Sequence, residues 1–462
     1  MAETSLWFLN RSFQELLLLC AVGFTIIGLD EFAIDCIWII RRAYRGLTVY
    51  RTHPRTTTAT LAPPTKPVKF AVFVPAWDES AVIEPMLRHA IAAYELGNVH
   101  IFVGCYPNDE ATLAQVLPFV SRRVSRVINI RAGPTTKADC LNALWAAMLE
   151  AEATSGEAFH AVILHDAEDV ISRDEIQIFE SLAGKFGLIQ LPVIPLIDLG
   201  SRWISGHYCD EFAESHCKSQ TVREALGAAL PAAGVGCAFS TDILRAMAVE
   251  RGTGPFDESS LTEDYELGLR LHALKARSAF VRILDSDGLT PVATRAHFPA
   301  SIDAAVKQKS RWIVGIALAG WDRLGWGDGI FENWMRLRDR IAPFSALILA
   351  MAYFDMLLGI VIFVLASVTG HPLLALSPAL DFLMDMTAIL LVWRMLVRCF
   401  FVTRLYGFLE GIRSIPRMVV GNVIAILAAR RAIFLYARML RNRTTIWEKT
   451  AHKFPNSAQS KH

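Results

Sequence analysis

The sequence lacks both a cysteine framework and a net charge of one sign. Its eight cysteines form no Cys-x-x-Cys pair and no metal-like spacing, and several lie inside apolar runs. This pattern indicates reduced, structural thiols and a catalytic part that faces the cytoplasm. The formal net charge is only +1, so nothing in the composition indicates nucleic acid as a partner.

Charged residues are also scarce. They make up 20% of the 462 residues, against 53% hydrophobic residues, and the mean hydropathy is +0.35. This composition is too apolar for an ordinary soluble enzyme of one or two domains. We therefore expect part of the chain to lie in lipid.

An apolar segment from Leu16 to Ile40 is followed at once by several arginines. A span needs about 20 apolar residues, and arginines mark its cytoplasmic side. With no basic leader region or small-residue cleavage site, residues 1–51 are predicted to be an uncleaved membrane anchor. Asp30, Glu31 and Asp35 interrupt the segment. They mark the inner interface or a re-entrant helix-loop-helix, or they take part in polymer passage.

A linker rich in Thr and Pro, residues 52–67, leads into short β-rich runs that alternate with helical stretches. This alternation predicts an α/β domain over residues 68–325 with a mainly parallel sheet, in which ligands bind at the carboxyl ends of the strands. The predicted strands are Phe70–Pro75, Val99–Cys105, Arg126–Arg131, Ala161–His165 and Leu188–Leu191.

Residues 326–440 read as interfacial and transmembrane helices. Phe331–Arg340 is amphipathic, whereas Ile341–Ser367 and Met386–Leu405 are long and apolar enough to span. Val419–Leu440 carries Arg430 and Arg431 in its middle, which favours a helix lying on the membrane surface. We therefore expect three spans, one before the α/β domain and two after it, with residues 441–462 as a cytoplasmic tail.

Polar side chains follow the predicted strands. Glu79 and Asp109 could accept hydrogen bonds from a nucleoside, although acidic loops after strands are common and Glu79 could simply cap the helix that starts near Ala81. Lys137 stands beside hydroxyls at a helix start, which suits a phosphate but is equally typical of a surface lysine. Asp166, Glu168 and Asp169 place three acids within four residues after an apolar strand. Because like charges repel, this favours a divalent cation that bridges diphosphate oxygens.

Two further segments carry chemistry. Asp264, with Glu263 beside it, opens a predicted helix as a general base or as an ordinary N-terminal acid. Gln308, Arg311 and Trp312 share a helical turn, where a guanidinium can face a diphosphate and an indole can support a sugar ring. The same turn is also compatible with a plain amphipathic helix.

In this order the motifs resemble the family-2 glycosyltransferases with a GT-A fold, especially the membrane-embedded polysaccharide synthases, over about residues 68–320. Four longer strings are similar to the subgroup typified by bacteriophage adsorption protein B. They are residues 134–142 (PTTKADCLN), 207–214 (HYCDEFAE), 233–239 (AGVGCAF) and 447–452 (WEKTAH).

The resemblance implies a role for each motif. The nucleotide-sugar site would comprise Glu79, Asp109, Lys137, Asp166, Gln308, Arg311 and Trp312. Asp166, Glu168 and Asp169 would hold Mg or Mn, in an Asp-Ala-Glu variant of the usual Asp-x-Asp motif. Asp264 would be the base, and the acceptor would meet Gly234 and Gly236. Tyr208 and Asp210 would contact the acceptor as well, or they would belong to a buried structural network.

The resemblance also implies an activity and a location. The enzyme would be an inverting hexosyl- or N-acetylhexosaminyltransferase that uses a nucleotide sugar, which we expect to be a UDP-sugar. It would extend a polysaccharide at the inner membrane, in contact with membrane lipid and an outer-envelope export partner. Subgroup members carry a further C-terminal regulatory domain for a cyclic dinucleotide, so such regulation would here act through a partner. The alternatives are transfer of one sugar to a lipid-linked acceptor and a non-catalytic nucleotide-sugar-binding component of an envelope secretion complex.

Overall fold

The structure, a computed structural model, describes residues 2–64, 66–370, 375–442 and 453–455. The string at residues 447–452 and most of the predicted tail lie outside the described residues.

A seven-stranded sheet forms the centre of the α/β region, in the order β3-β2-β1-β4-β6-β5-β7. β6 runs antiparallel to both of its neighbours, and the other pairings are parallel. The prediction of a mainly parallel sheet is therefore confirmed. The strands are β1 (Phe70–Pro75), β2 (Val99–Cys105), β3 (Val124–Ile128), β4 (Ala161–Leu164), β5 (Leu188–Gln190), β6 (Cys237–Ser240) and β7 (Ser278–Phe280).

Strand β1 shows why this sheet is closed to solvent on both faces. All six of its residues are buried. Phe70, Val72 and Val74 pack in one hydrophobic cluster, and Ala71 and Phe73 pack in another on the opposite face. A continuous apolar run is what a parallel strand needs, because helices cover both faces.

Helices connect and flank the strands, and two π-helical turns, Ser215–Ser219 and Ile313–Leu318, interrupt them. The helices are α1 (Ala2–Leu47), α2 (Val49–Thr52), α3 (Ile83–Ala93), α4 (Glu110–Val116), α5 (Lys137–Ser155), α6 (Glu175–Leu182), α7 (Ile204–Glu214), α8 (Gln220–Ala225), α9 (Thr241–Arg251), α10 (Glu263–Ala273), α11 (Ile302–Trp312), α12 (Ala319–Leu324), α13 (Ile330–Arg340), α14 (Ala342–Thr369), α15 (Pro378–Tyr406) and α16 (Phe408–Asn442).

Among the described residues, four helices, α1, α14, α15 and α16, are long and apolar enough to cross a membrane. Three spans were expected, because Arg430 and Arg431 favoured a surface position for the last apolar stretch. The helix of that stretch, α16, begins at Phe408, and the residues ahead of Val419 include Glu410, Arg413 and Arg417. Helix α16 packs against α7 and α11 of the α/β region.

The acids of the first membrane helix face protein cations. Helix α1 is continuous, so the re-entrant alternative is wrong. Lys218 Nζ lies 2.6 Å from Asp35 and 3.6 Å from Glu31, and Arg338 of α13 pairs with Asp30 and Glu31. These ion pairs offset the cost of carboxylates in an apolar helix and fasten α1 to the α/β region.

Candidate active site

A pocket lies at the carboxyl end of the sheet, where segments distant in sequence meet. Loops after β4 and β5, the first turns of α5 and α10, and the last turn of α11 all contribute to it. Its lining includes Lys137, Asp166, Glu168, Asp169, Thr262, Glu263, Asp264, Gln308, Arg311 and Trp312. The structure thus brings together most of the predicted site residues.

A lysine–aspartate pair occupies one wall of the pocket. Thr136 caps α5 by accepting a hydrogen bond from Asp139 N, which places Lys137 in the first turn. Lys137 Nζ lies 2.5 Å from Asp166 Oδ1. Burial opposes the charge on this lysine, but Asp166, Glu263 and Asp264 raise its pKa above the ordinary value. Lys137 is therefore a fixed positive charge facing the pocket.

The loop after β4 is held from behind by a buried histidine that the sequence analysis missed. Asp169 Oδ2 accepts a hydrogen bond from Asp166 N at 3.0 Å and lies 2.9 Å from His165 Nδ1. His165 Nε2 in turn lies 3.0 Å from Glu175 Oε1. These buried contacts of Asp169 orient the loop. Asp166, in contrast, is partly exposed to the pocket and pairs with Lys137.

Two adjacent acids open helix α10 and differ in burial. Glu263 is buried, whereas Asp264 is partly exposed and lines the pocket. Burial raises the pKa of Glu263 to about 7, and burial also raises the pKa of Asp264. Of the pair, Asp264 is the carboxylate that a substrate hydroxyl can reach.

A glycine loop lies against Asp264. Gly234 and Gly236 have φ values of +75° and +57°, and a Cβ built on Gly234 would overlap the Asp264 carboxylate. Gln190, at the end of β5, fixes this loop by accepting from Ala233 N at 2.8 Å and donating to the Val235 carbonyl at 3.0 Å. A glutamine that ends an apolar strand was the available sequence signal for this buried residue.

The last turn of α11 carries the predicted Gln-x-x-Arg-Trp residues. Trp312 packs edge-on to Tyr208, with ring centroids 6.1 Å apart. Lys309 Nζ lies 2.6 Å and 2.7 Å from the two carboxylate oxygens of Glu211, which ties α11 to α7. Burial works against ionisation of Glu211, yet Lys309 lowers its pKa to about 2. This ion pair holds the turn in place.

Tyr208 and Asp210 both lie on α7 and do not line the pocket. Their exposed fractions are 0% and 1%, and Asp210 accepts two hydrogen bonds from Arg417 of α16, at 2.9 Å and 2.6 Å. This burial agrees with the alternative of a buried structural network, and contact of the two side chains with the acceptor stays a prediction. Tyr208 packs against Trp312, whereas Asp210 ties α7 to α16.

Glu79 and Asp109 sit side by side at the ends of β1 and β2. Asp109 caps α4 by accepting from Thr112 N at 3.2 Å, and it accepts from Asp78 N at 2.5 Å. Glu79 N donates to Thr112 Oγ1 at 2.9 Å. The cap that Asp109 provides for α4 was not predicted, and the expected cap by Glu79 is absent, because α3 begins after Val82 without a side-chain cap. A nucleoside role for the two acids stays a prediction.

The carboxylates of Asp166 and Glu168 are the candidate donors for a divalent ion. Within the described ranges, no group of three or more His, Cys, Asp and Glu side chains is arranged to hold a metal. Mg²⁺-type ions commonly take only one or two protein carboxylates and complete their shell with water and substrate phosphate. The residues present fit that kind of site.

Comparisons with known proteins agree on one family. Residues 67–315 match the model "Glycosyltransferase like family 2". The chain is 36% identical over 459 residues to bacteriophage adsorption protein B of Escherichia coli K12 and to bacteriophage N4 adsorption protein B of Escherichia coli O157:H7. The match covers 94% of this chain and 61% of each relative, so the chain spans less than two thirds of their length.

Among solved structures, a mannosyltransferase from Pyrobaculum calidifontis, in complex with GDP-Man and Mn²⁺, has a TM-score of 0.50. The alignment covers 90% of this chain and 99% of that chain at 14% sequence identity. This likeness shows a shared fold and confirms the predicted GT-A architecture with membrane helices. The chain belongs to glycosyltransferase family 2.

Proposed function

We propose that this chain is an inverting, metal-dependent transferase that moves a sugar from a nucleotide sugar to a growing polysaccharide at the inner membrane. We also propose that residues 68–325 form the catalytic domain and that this domain lies in the cytoplasm. The observation that carries this proposal is that Asp264, the Lys137–Asp166 pair and the turn with Arg311 and Trp312 meet in one pocket.

Unsatisfied polar atoms in this pocket support a polar ligand. Within the described part of the chain, Thr262 Oγ1, Gln308 Oε1 and Arg311 Nε are buried without a hydrogen-bond partner. All three residues line the pocket. Because a buried polar atom without a partner is costly, such atoms commonly mark a place where a ligand or water completes the network.

The proposed reaction is a single displacement. Asp264 takes the proton of the acceptor hydroxyl, and the oxygen attacks the anomeric carbon from the side opposite the leaving diphosphate. The positive charges of Lys137 and Arg311 stabilise the diphosphate as its negative charge grows. Trp312 offers an aromatic face to a sugar ring. The bond from anomeric carbon to diphosphate breaks as the new glycosidic bond forms, so the configuration inverts.

The ion would be held by Asp166 and Glu168. Bound there, Mg²⁺ or Mn²⁺ would supply further positive charge to the departing diphosphate. We propose that Asp169 supports this loop through His165 and does not itself bind the ion. Lys137 already compensates part of the negative charge of Asp166.

The donor can be tested directly. The Pyrobaculum mannosyltransferase binds GDP-Man, whereas the family resemblance favours a UDP-hexose or UDP-N-acetylhexosamine. We propose screening both kinds of nucleotide sugar for Mn²⁺-dependent release of the nucleoside diphosphate by the purified chain in lipid. Release from one donor supports the proposal, and release from none, with binding intact, contradicts it.

Product length separates the two acceptor hypotheses. With a radiolabelled donor, a ladder of long products indicates polysaccharide extension, whereas single additions indicate a lipid-linked acceptor. A donor that binds without any transfer would favour the third alternative, a non-catalytic component of a secretion complex. An export partner and control by a cyclic dinucleotide remain part of the proposal for the assembled system.

A further inference from the structure

Three arginines from separate segments surround Trp38 near the end of the first membrane helix. The Arg42 guanidinium lies 5.4 Å from the Trp38 ring centroid. Trp38 Nε1 and Arg282 Nη1 both donate to the carbonyl of Cys217, at 3.2 Å and 3.1 Å. We call Arg42, Arg282, Arg404 and Trp38 the Trp38 cluster.

The third arginine reaches the cluster through a second aromatic ring. Arg404, at the end of α15, lies 5.7 Å from the Phe400 centroid. Phe400 packs edge-on to Trp38 with centroids 6.3 Å apart. The cluster therefore joins the cytoplasmic ends of α1 and α15, as the arginine distribution places them, to the loop after β7.

The charge of this cluster is not compensated by the chain. Arginines elsewhere at the same junction are paired: Arg338 with Asp30, and Arg398 with Glu214. Over the described residues, Arg42, Arg282 and Arg404 form no ion pair with a carboxylate, and all three are exposed. Arg42 and Arg404 stack on aromatic rings and Arg282 is held by the Cys217 carbonyl. Three positive charges fixed in this way are complementary to an anion.

The surroundings favour an anion that belongs to the membrane. Trp38 lies just before the end of the apolar segment Leu16–Ile40, and Phe400 lies near the end of the candidate span Pro378–Tyr406. An aromatic ring at such a position typically sits at headgroup level. A second stack is close by in sequence, with Arg45 and Arg55 at 5.1 Å and 4.8 Å from the Tyr50 centroid. Juxtamembrane arginines are attracted to the anionic lipids of the inner leaflet.

We propose that the Trp38 cluster binds the phosphate of an anionic phospholipid headgroup. The guanidinium groups supply paired N–H donors that match phosphate oxygens, and the indole and phenyl rings lie beside the upper acyl chain. In the described part of the chain, none of the four residues lines the catalytic pocket. The site is therefore distinct from the donor site, and lipid binding can be measured without sugar transfer.

The test uses the full chain purified in nanodiscs of equal parts phosphatidylglycerol and phosphatidylcholine. After transfer to detergent, the retained lipids are counted by native mass spectrometry. We expect the wild-type chain to retain phosphatidylglycerol in preference. The triple variant R42Q/R282Q/R404Q should lose this preference, by about fivefold for each arginine removed.

A matched control removes equal charge from another membrane-adjacent helix. R430Q/R438Q/R441Q alters three arginines of α16 and leaves the Trp38 cluster intact. The control should keep the wild-type preference. If both triple variants lose it equally, general charge attracts the lipid and the proposed site is overturned. The proposal also fails if wild type shows no preference, or if R42Q/R282Q/R404Q retains it.

Two additions keep the result interpretable. Single R282Q, which removes one exposed side chain, is expected to lose about fivefold and replaces the triple variant if that variant does not elute as a monodisperse species. Inorganic phosphate and diphosphate are titrated against wild type in pure phosphatidylcholine nanodiscs. Arginine-dependent binding of these soluble anions, without retention of phosphatidylglycerol, would overturn the lipid assignment.

Discussion

Gly234 lies directly against the carboxylate of Asp264, so that a Cβ at position 234 would overlap Oδ2. The glycine loop and the proposed base are therefore one packed unit, although thirty residues of sequence separate them. Gln190 fixes the other side of this loop. The position of Asp264 depends on this absence of a side chain.

Gly234→Ala tests this contact. The added methyl group must displace Asp264, and misplacement of a catalytic group by about 1 Å can cost about a hundredfold in rate. We expect transfer to fall by about that factor while donor binding persists. Gly252→Ala is the matched control, because its φ of +73° is similar but nothing lies within 4 Å of its Cβ. Its effect is limited to backbone strain of about 1–2 kcal/mol. Equal loss of transfer in both variants would contradict the account.

Asp166 and Asp169 are expected to respond differently to loss of charge. Asp166→Asn removes a proposed ion ligand, so transfer should need a higher Mn²⁺ concentration while the melting temperature stays close to wild type. Asp169→Asn disturbs the buried contact with His165 and should lower the melting temperature. Titrations of Mn²⁺ and thermal unfolding of both variants check this. If only Asp169→Asn raised the Mn²⁺ concentration needed for transfer, Asp169 and not Asp166 would be the ion ligand.

The burial of Asp264 and Glu263 predicts a pH dependence. Burial raises the pKa of both acids, that of Glu263 to about 7. A base must be deprotonated, so transfer should increase as pH rises through the raised pKa values of the pair and decline as the pair takes up a proton at lower pH. The transfer rate at saturating donor, measured on both sides of the Glu263 value of about 7, checks the sign. A rate that increases as pH falls would contradict it.

The ion pair of Asp210 with Arg417 is expected to stabilise the junction between α7 and α16. Both side chains are 1% exposed, and Arg417→Met leaves a buried carboxylate without its main partner. This should cost about 3–5 kcal/mol and lower the melting temperature. Arg413→Met is the control on the same helix, since Arg413 is 39% exposed and pairs with Glu410. It should cost less than about 1 kcal/mol. Equal melting temperatures for the two variants would count against this role.

The fold could be predicted where the sequence signal is local. β1, β2 and β4 are apolar runs that end in polar loops, and their alternation with helices predicted a parallel sheet. No strand was predicted at β6 or β7, which are four and three residues long. For the last apolar stretch, Arg430 and Arg431 favoured a surface helix, whereas its length and composition make it a candidate span.

The support of the site could not be predicted, because its partners are distant in sequence. Asp210 and Arg417 are 207 residues apart, and Asp35 and Lys218 are 183 apart. Sequence patterns identify a charged residue but not its partner across the fold. The sequence therefore left Tyr208 and Asp210 open between contact with the acceptor and a buried structural network, and the structure buries both side chains.

The central claim is that Asp264 is the base of a sugar transfer in this pocket. The most direct measurement compares wild type with Asp264→Asn for sugar transfer and for nucleotide binding in the same lipid preparation. The account predicts that transfer falls by about 10²–10⁴-fold while the dissociation constant of the nucleoside diphosphate stays within a small factor of wild type. Transfer at the wild-type rate by Asp264→Asn would contradict it.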